Sequence, residues 1–215
     1  MCKDSANILK EEDVCVRACG ALLRYVKQTQ KRELDYIRPE RPEGNVMLID
    51  NNAAKTLELL VSSNGKKQGS VYSAINKTQT GMGARLLGKR LAATSADERT
   101  INDRLDGVAE LTADRLLRAE TSEALSGIAD IERIAARIAY GSITPKECVT
   151  LAISLGNLVP LKAALGKCGS RILSGLASSL DTFGEVAALI RSAIADETNT
   201  FVRDGGVIRS GYNEE

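Results

Sequence analysis

The chain has 215 residues, 43% of them apolar and 27% charged, with a formal net charge of +1. That length holds one large or two small domains, and the apolar fraction is ample for a buried core. The absence of histidine removes the commonest general base and metal ligand, and with it Ser-His-Asp and Cys-His catalysis; the near-neutral charge lacks the footprint of an autonomous nucleic-acid binder.

Aromatic residues make up only 3%, with no tryptophan, whereas Ala and Leu are plentiful, which predicts a mainly α chain packed helix on helix. The five cysteines (Cys2, Cys15, Cys19, Cys148, Cys168) are odd in number and lack CxxC spacing. Reduced packing thiols are therefore expected, not disulfides or zinc ligands. Met1–Ser5 is followed by no apolar run and no stretch reaches about 18 apolar residues, so the expected location is cytoplasmic, with no membrane segment.

Along residues 11–29, Cys15, Cys19, Leu22 and Val26 share one helical face. Two prolines and a glycine then break the periodicity over residues 38–45, and Val46–Ile49 reads as a short strand ending at Asp50. From Asp50 onward helix follows helix, with short breaks at residues 62–65, 79–81, 93–95, 141–142 and 166–170. Thr144-Pro-Lys-Glu147 has the form of a capping box with proline at the first helical position, and Asp181 is placed to cap a helix starting at Thr182. Near the end, Phe201–Arg203 and Val207–Arg209 are β-favouring triplets around Asp204-Gly205-Gly206, which predicts a β-hairpin with positive φ at the glycines. Asn213 followed by Glu214 and Glu215 reads as an N-cap with acidic residues behind it, so the natural polypeptide is expected to continue into a further helix.

Charge is unevenly laid out. Residues 59–96 carry Lys66, Lys67, Lys77, Arg85, Lys89 and Arg90 with no acid, and residues 97–138 carry ten acids against six arginines, with helical pairs such as Asp114 and Arg118. The segments either neutralise one another or leave a phosphate-facing patch, for which Lys66, Lys67, Lys77, Lys89 and Arg90 are the candidates.

Two motifs mislead. Gly83-Ala-Arg-Leu-Leu-Gly88-Lys89 matches seven positions of a Walker A loop, but Arg90 stands where a hydroxyl should bind magnesium and no strand leads into it. Ala84–Leu87 favours helix, and Met82, Leu86, Leu87 and Leu91 form a candidate buried stripe. Phe183-Gly-Glu185 sets an aromatic ring two residues before a carboxylate, yet Phe183, Val186, Ala187 and Ile190 are spaced as a helical core face, which assigns the ring to the core. On the run from Asp130, the charged face of Asp130, Arg133 and Arg137 opposes the apolar stripe of Ile131, Ile134, Ala135 and Ile138, a face able to hold a charge network against a neighbouring helix.

Six further phrases occur in order: Leu22–Gln30; Met47–Asp50 with Thr56–Leu59; Gly69–Val71 with Asn76–Leu87; Arg104–Val108; Asp130–Ile138; and Arg203–Ile208. Together they resemble the MutS family of DNA mismatch-recognition proteins, over nearly the whole chain. Departures are local: Arg90 and Ala92–Ser95 replace a tryptophan followed shortly by Pro-Leu, and Asn76 stands where the family tends to carry aspartate. The family's Phe-x-Glu wedge lies in an N-terminal mismatch-binding domain, upstream of anything here.

The resemblance implies that residues 1–30 are the helix ending a connector domain. Residues 31–215 would be the first part of a multi-helix core, or lever, domain with a short β-hairpin near its C-terminus, cut before the clamp and without the ATPase domain. Asp50, Met82, Gly83, Arg85, Asp106, Asp130, Glu132, Arg133, Gly205 and Gly206 would be structural motif positions, with no catalytic, cofactor or metal residue. The parent would be an ABC-type ATPase using ATP and Mg, dimeric or paired with a related subunit, acting on double-stranded DNA with a MutL-type partner. Other readings are a family member devoted to DNA other than mispairs, a helical adaptor, and a phosphotransferase built on Gly83–Lys89.

Overall fold

A computed structural model of the chain describes residues 13–30, 46–47, 49–195, 199 and 202–213. It divides into two compact units, residues 1–44 and 45–215. The first holds helix α1 (Asp13–Gln30). On its expected apolar face Cys19 and Leu22 are exposed and Val26 is half-buried; the Cys15 side chain lies outside the described residues.

The second unit runs through α2 (Asn51–Thr56), α3 (Val71–Ile75), α4 (Gly81–Ala92), α5 (Glu98–Ala113), α6 (Arg115–Ser126), α7 (Ile131–Ala139), α8 (Pro145–Leu165), α9 (Arg171–Ser179) and α10 (Gly184–Ala193), ending in a 3-10 turn at Val202–Asp204. Short polar residues start most of these helices. The side chains of Asp50, Ser70, Thr80, Asp97, Asp114, Asp130 and Thr144 each accept a backbone N–H of the following turn, which satisfies donors the helix itself leaves free. At Thr144 the full capping box forms, with Glu147 returning to the Thr144 N–H and Pro145 opening the helix. Asp114 thus serves as a cap, its Oδ1 accepting the Leu117 N–H at 2.9 Å, and not as the ion-pair partner of Arg118.

The core is built around α8, which packs against α6, α7, α9 and α10. Leu151, Leu155, Leu158, Leu161 and Leu165 of α8 cluster with Leu117, Ile128, Ile134, Leu173 and Ala187. By length and hydropathy α8 is apolar enough to cross a membrane, and its position at the centre of the core accounts for that composition. Its one fully buried hydroxyl is satisfied on both sides: Ser154 Oγ donates to the Thr150 carbonyl and accepts the Ala129 N–H.

Three further expectations are corrected. The hairpin between Phe201–Val202 and Val207–Ile208 is not formed among the described residues, Phe201 lying outside them. Val202–Asp204 winds as a 3-10 turn, so its backbone is not extended for pairing. Gly205 and Gly206 do take positive φ (73° and 66°), and the chain they redirect pairs with the end of α10. Ile208 bridges Ile194 in antiparallel register, with the Ala195 N–H donating to the Val207 carbonyl at 3.0 Å and the Arg209 N–H to the Ala193 carbonyl at 2.8 Å. The Ile194 backbone is already extended there (φ −102°, ψ 136°), so the flanking Ala193 carbonyl and Ala195 N–H find partners. Likewise, Phe183 is not a core residue. It sits ahead of α10 with left-handed φ 48° and ψ 42° and is 51% exposed, because the helix begins at Gly184 and the helical periodicity does not extend to it. Asp181 accepts the Phe183 N–H at 2.9 Å and holds that turn instead of capping a helix at Thr182. Ala187 and Ile190 do reach the core.

Candidate functional site

The phrases around Asp50–Leu59 and Gly69–Leu87 build a small layer, α2–α4 with its loops, that meets the phrase starting at Asp130 on the helical body in a polar junction. Asp50 Oδ1 caps α2 by accepting the N–H groups of Asn52 and Ala53 at 2.8 and 2.9 Å. Past α2, Glu58 adopts positive φ (49°), and its carbonyl and that of Leu59 accept the N–H groups of Val71 and Tyr72, both at 2.9 Å. The Gly69-Ser70-Val71 phrase supplies the return: Gly69 takes φ 89°, and buried Ser70 accepts the Ser73 N–H while donating to the Lys67 carbonyl. Asn76 then donates to the Tyr72 hydroxyl at 3.1 Å and accepts from Thr78, bridging α3 to the chain that enters α4.

Within α4, Gly83–Lys89 is helical throughout, so the Walker-like segment offers helix-bonded amides and no phosphate-cradling loop. Met82 packs against the core as expected, whereas Leu86, assigned to the same buried stripe, is exposed. Arg85 reaches across to the start of α7. Its Nη1 and Nη2 donate to Asp130 Oδ2 and Oδ1, both at 2.7 Å, and its Nε donates to Glu132 Oε2 at 3.0 Å. Asp130 also caps α7, Oδ1 accepting the Arg133 N–H at 3.2 Å. The bonds from Arg85 hold the Asp130 carboxyl below the usual carboxylate range, and the two carboxylates raise the Arg85 guanidinium above its ordinary value. One turn along α7, Arg137 pairs with Glu147 of α8. The charged face of Asp130, Arg133 and Arg137 therefore carries ties to α4 on one side and α8 on the other.

The remaining predicted residues separate. Lys66, Lys67, Lys77, Lys89 and Arg90 are all exposed, and Arg85 joins the basic segment to the acidic one. Lys67 Nζ lies 5.9 Å from the centroid of the Tyr72 ring. Lys89 and Arg90 occupy the last turn of α4, where positive charge complements the helix dipole. Asp106 is exposed on α5; the structural residue of its phrase is Gly107, where a Cβ would lie 2.8 Å from Ile172 Cγ2. Arg133 is exposed and contributes through its backbone N–H. Sequence reasoning missed Gly107 as well as Glu110, whose carboxylate accepts the Gly169 and Ser170 N–H groups at 2.6 and 2.9 Å ahead of α9. It also missed Gly127, whose carbonyl accepts from Asn157 Nδ2 at 3.0 Å with no room for a Cβ between them. A lone glycine in a helical pattern was the available signal.

A shallow pocket lies beside Glu110, Asp114, Glu120 and Lys167, but its acids are in use as helix caps and as the Glu120–Lys167 pair at 2.6 Å. Among the described residues no group of three metal-ligating side chains is assembled.

Fold and junction thus define a helical structural module held by caps, close glycine contacts and ion pairs between helices. Residues 52–215 match the family model described as MutS domain III, and the chain belongs to that family. It is 39% identical to the DNA mismatch repair protein MutS of Alkaliphilus oremlandii over 99% of this chain and 25% of that protein. It is 37% identical to the protein of that name from Caldanaerobacter subterraneus, over 96% of this chain and 24% of the relative, and 36% identical to that of Listeria innocua, over 93% and 24%. The chain spans about a quarter of the length of the curated relatives it matches.

Proposed function

We propose that this domain III segment is the mechanical core of a MutS-type mismatch repair protein, transmitting rigid-body movement between a nucleotide site and a DNA clamp that lie elsewhere in the parent. The observation that carries the reading is the meeting of two family phrases, Asn76–Leu87 and Asp130–Ile138, in one polar junction on a buried helical body. Stiff, capped helices locked to one another transmit displacement; a loosely packed chain would dissipate it. In the parent the reading entails ATP and Mg at an ABC-type ATPase domain, pairing with a second subunit, a MutL-type partner and a cytoplasmic location. Residues 1–30 would belong to the preceding connector. Lys66, Lys67, Lys77, Lys89 and Arg90 would add a weak, salt-sensitive affinity for DNA phosphates.

Deletion of the gene encoding the parent should raise the spontaneous mutation frequency of its host. An unchanged frequency would assign the parent to DNA structures other than mispairs. Within the isolated chain, fluorescence anisotropy should show no preference for mismatched over matched duplex, and calorimetry with Mg should show no saturable nucleotide binding. Micromolar nucleotide binding abolished by Lys89→Ala would overturn the mechanical reading.

A further inference from the structure

Between the α2–α4 layer and the helical body the structure records an apolar tie, Met82 on the core, and a polar one, the Arg85 fork. These differ in kind. The methionine side chain is flexible and packs in many orientations, so it holds the layer near the body without fixing its angle. The guanidinium is planar and meets Asp130 through two parallel bonds at 2.7 Å, with Nε on Glu132, which fixes direction as well as distance. Gly81 makes the approach possible. It opens α4, and a Cβ there would stand 3.0 Å from Asp130 Oδ2, so the carboxylate lies against the first turn of α4 as well as that of α7.

We propose that Arg85 is a positioning residue, and that its fork onto Asp130 and Glu132 is a releasable ionic latch that sets the orientation of the α2–α4 layer on the helical body. Two features make it releasable without unfolding. The side chains are open to water, 44% exposed for Arg85 and 23% for Asp130, so salt screens the attraction. And Asp130 Oδ1 accepts the Arg133 N–H independently of Arg85, so α7 keeps its cap when the fork opens. The latch concerns this chain whatever DNA its parent acts upon.

Hydrogen exchange of the 215-residue chain tests the latch, read by mass spectrometry at about 0.05 and 1 M NaCl, where the screening length falls severalfold. In the wild type, exchange over 81–92 should rise with salt by about fivefold, the scale of local opening governed by a surface ion pair, while 151–165 stays unchanged. Arg85→Met, which keeps the stem and removes the charge, should show the high exchange at both salt concentrations. Asp130→Asn, which still caps α7, should match it. Arg85→Lys, charged but unable to form the fork, should fall between. Equal exchange over 81–92 in wild type and Arg85→Met at about 0.05 M NaCl would overturn the latch. So would a rise extending equally into 151–165, which would make Arg85 an ordinary contributor to global stability.

Discussion

Gly107→Ala isolates the closest contact in the body. A Cβ at Gly107 would lie 2.8 Å from Ile172 Cγ2 and 3.5 Å from Leu173 Cγ. Carbon atoms settle at about 3.5–4.0 Å, so the shortfall is roughly 0.7–1.2 Å. Ile172 is β-branched and held in α9, with little rotamer freedom, and its neighbour Leu173 is buried in the core. The strain must therefore move α5 away from α9. Overpacking of this kind costs about 1–3 kcal/mol, whereas replacing a mid-helix glycine by alanine returns about 1 kcal/mol of helix propensity. We expect overpacking to win by up to about 2 kcal/mol, lowering the melting temperature by up to roughly 4–8 °C in a chain of this size. Circular dichroism melts of Gly107→Ala, Ile172→Ala and the double variant decide. Removing Cγ2 should relieve the clash, so the double variant should lose about 1 kcal/mol less than the sum of the singles. A Gly107→Ala chain more stable than the wild type, or strict additivity, would refute the close-contact explanation.

Leu155→Ala, at a side chain 5% exposed in the centre of the core, should cost about 2–5 kcal/mol; Phe183→Ala should stay within about 0.5 kcal/mol and Phe183→Gly should not destabilise, since the residue is exposed in a left-handed conformation that glycine adopts freely. Urea midpoints would show an equal loss at the two sites if Phe183 were in fact a core residue. Asp130, Asp97 and Glu147 have folded pKa values lowered by Arg85, by the Thr100 hydroxyl and by the Thr144 N–H, respectively. Their contribution is complete above the ordinary carboxylate value of about 4 and is lost as pH falls through the lowered values, so the urea midpoint should fall on acidification below about pH 4; a midpoint that rose there would contradict the assignment. Exposed Cys19 should react with iodoacetamide at least about tenfold faster than Cys148 or Cys168, whose thiols burial pushes up. Peptide mapping reads this directly, and comparable rates at all three would refute the burial.

The sequence determined what depends on neighbours a few residues apart. Caps and helix starts need only a short polar side chain at the right offset, so the Thr144 box and the helical reading of Gly83–Lys89 were legible. So were the positive φ of Gly205 and Gly206, which follows from chemistry within the turn. Tertiary structure decided which distant groups meet. Nothing local distinguishes Arg85, which finds Asp130 45 residues away, from Lys77 or Lys89, which stay in water. Nor does local pattern tell Gly107, pressed against Ile172, from a glycine that merely weakens its helix. Phe183 and the terminal triplets failed for one reason. The apolar spacing at Phe183 and the β-propensity of the triplets are local signals, but burial and pairing depend on where a helix starts and which backbone lies extended alongside, and both are fixed only when the whole chain has packed.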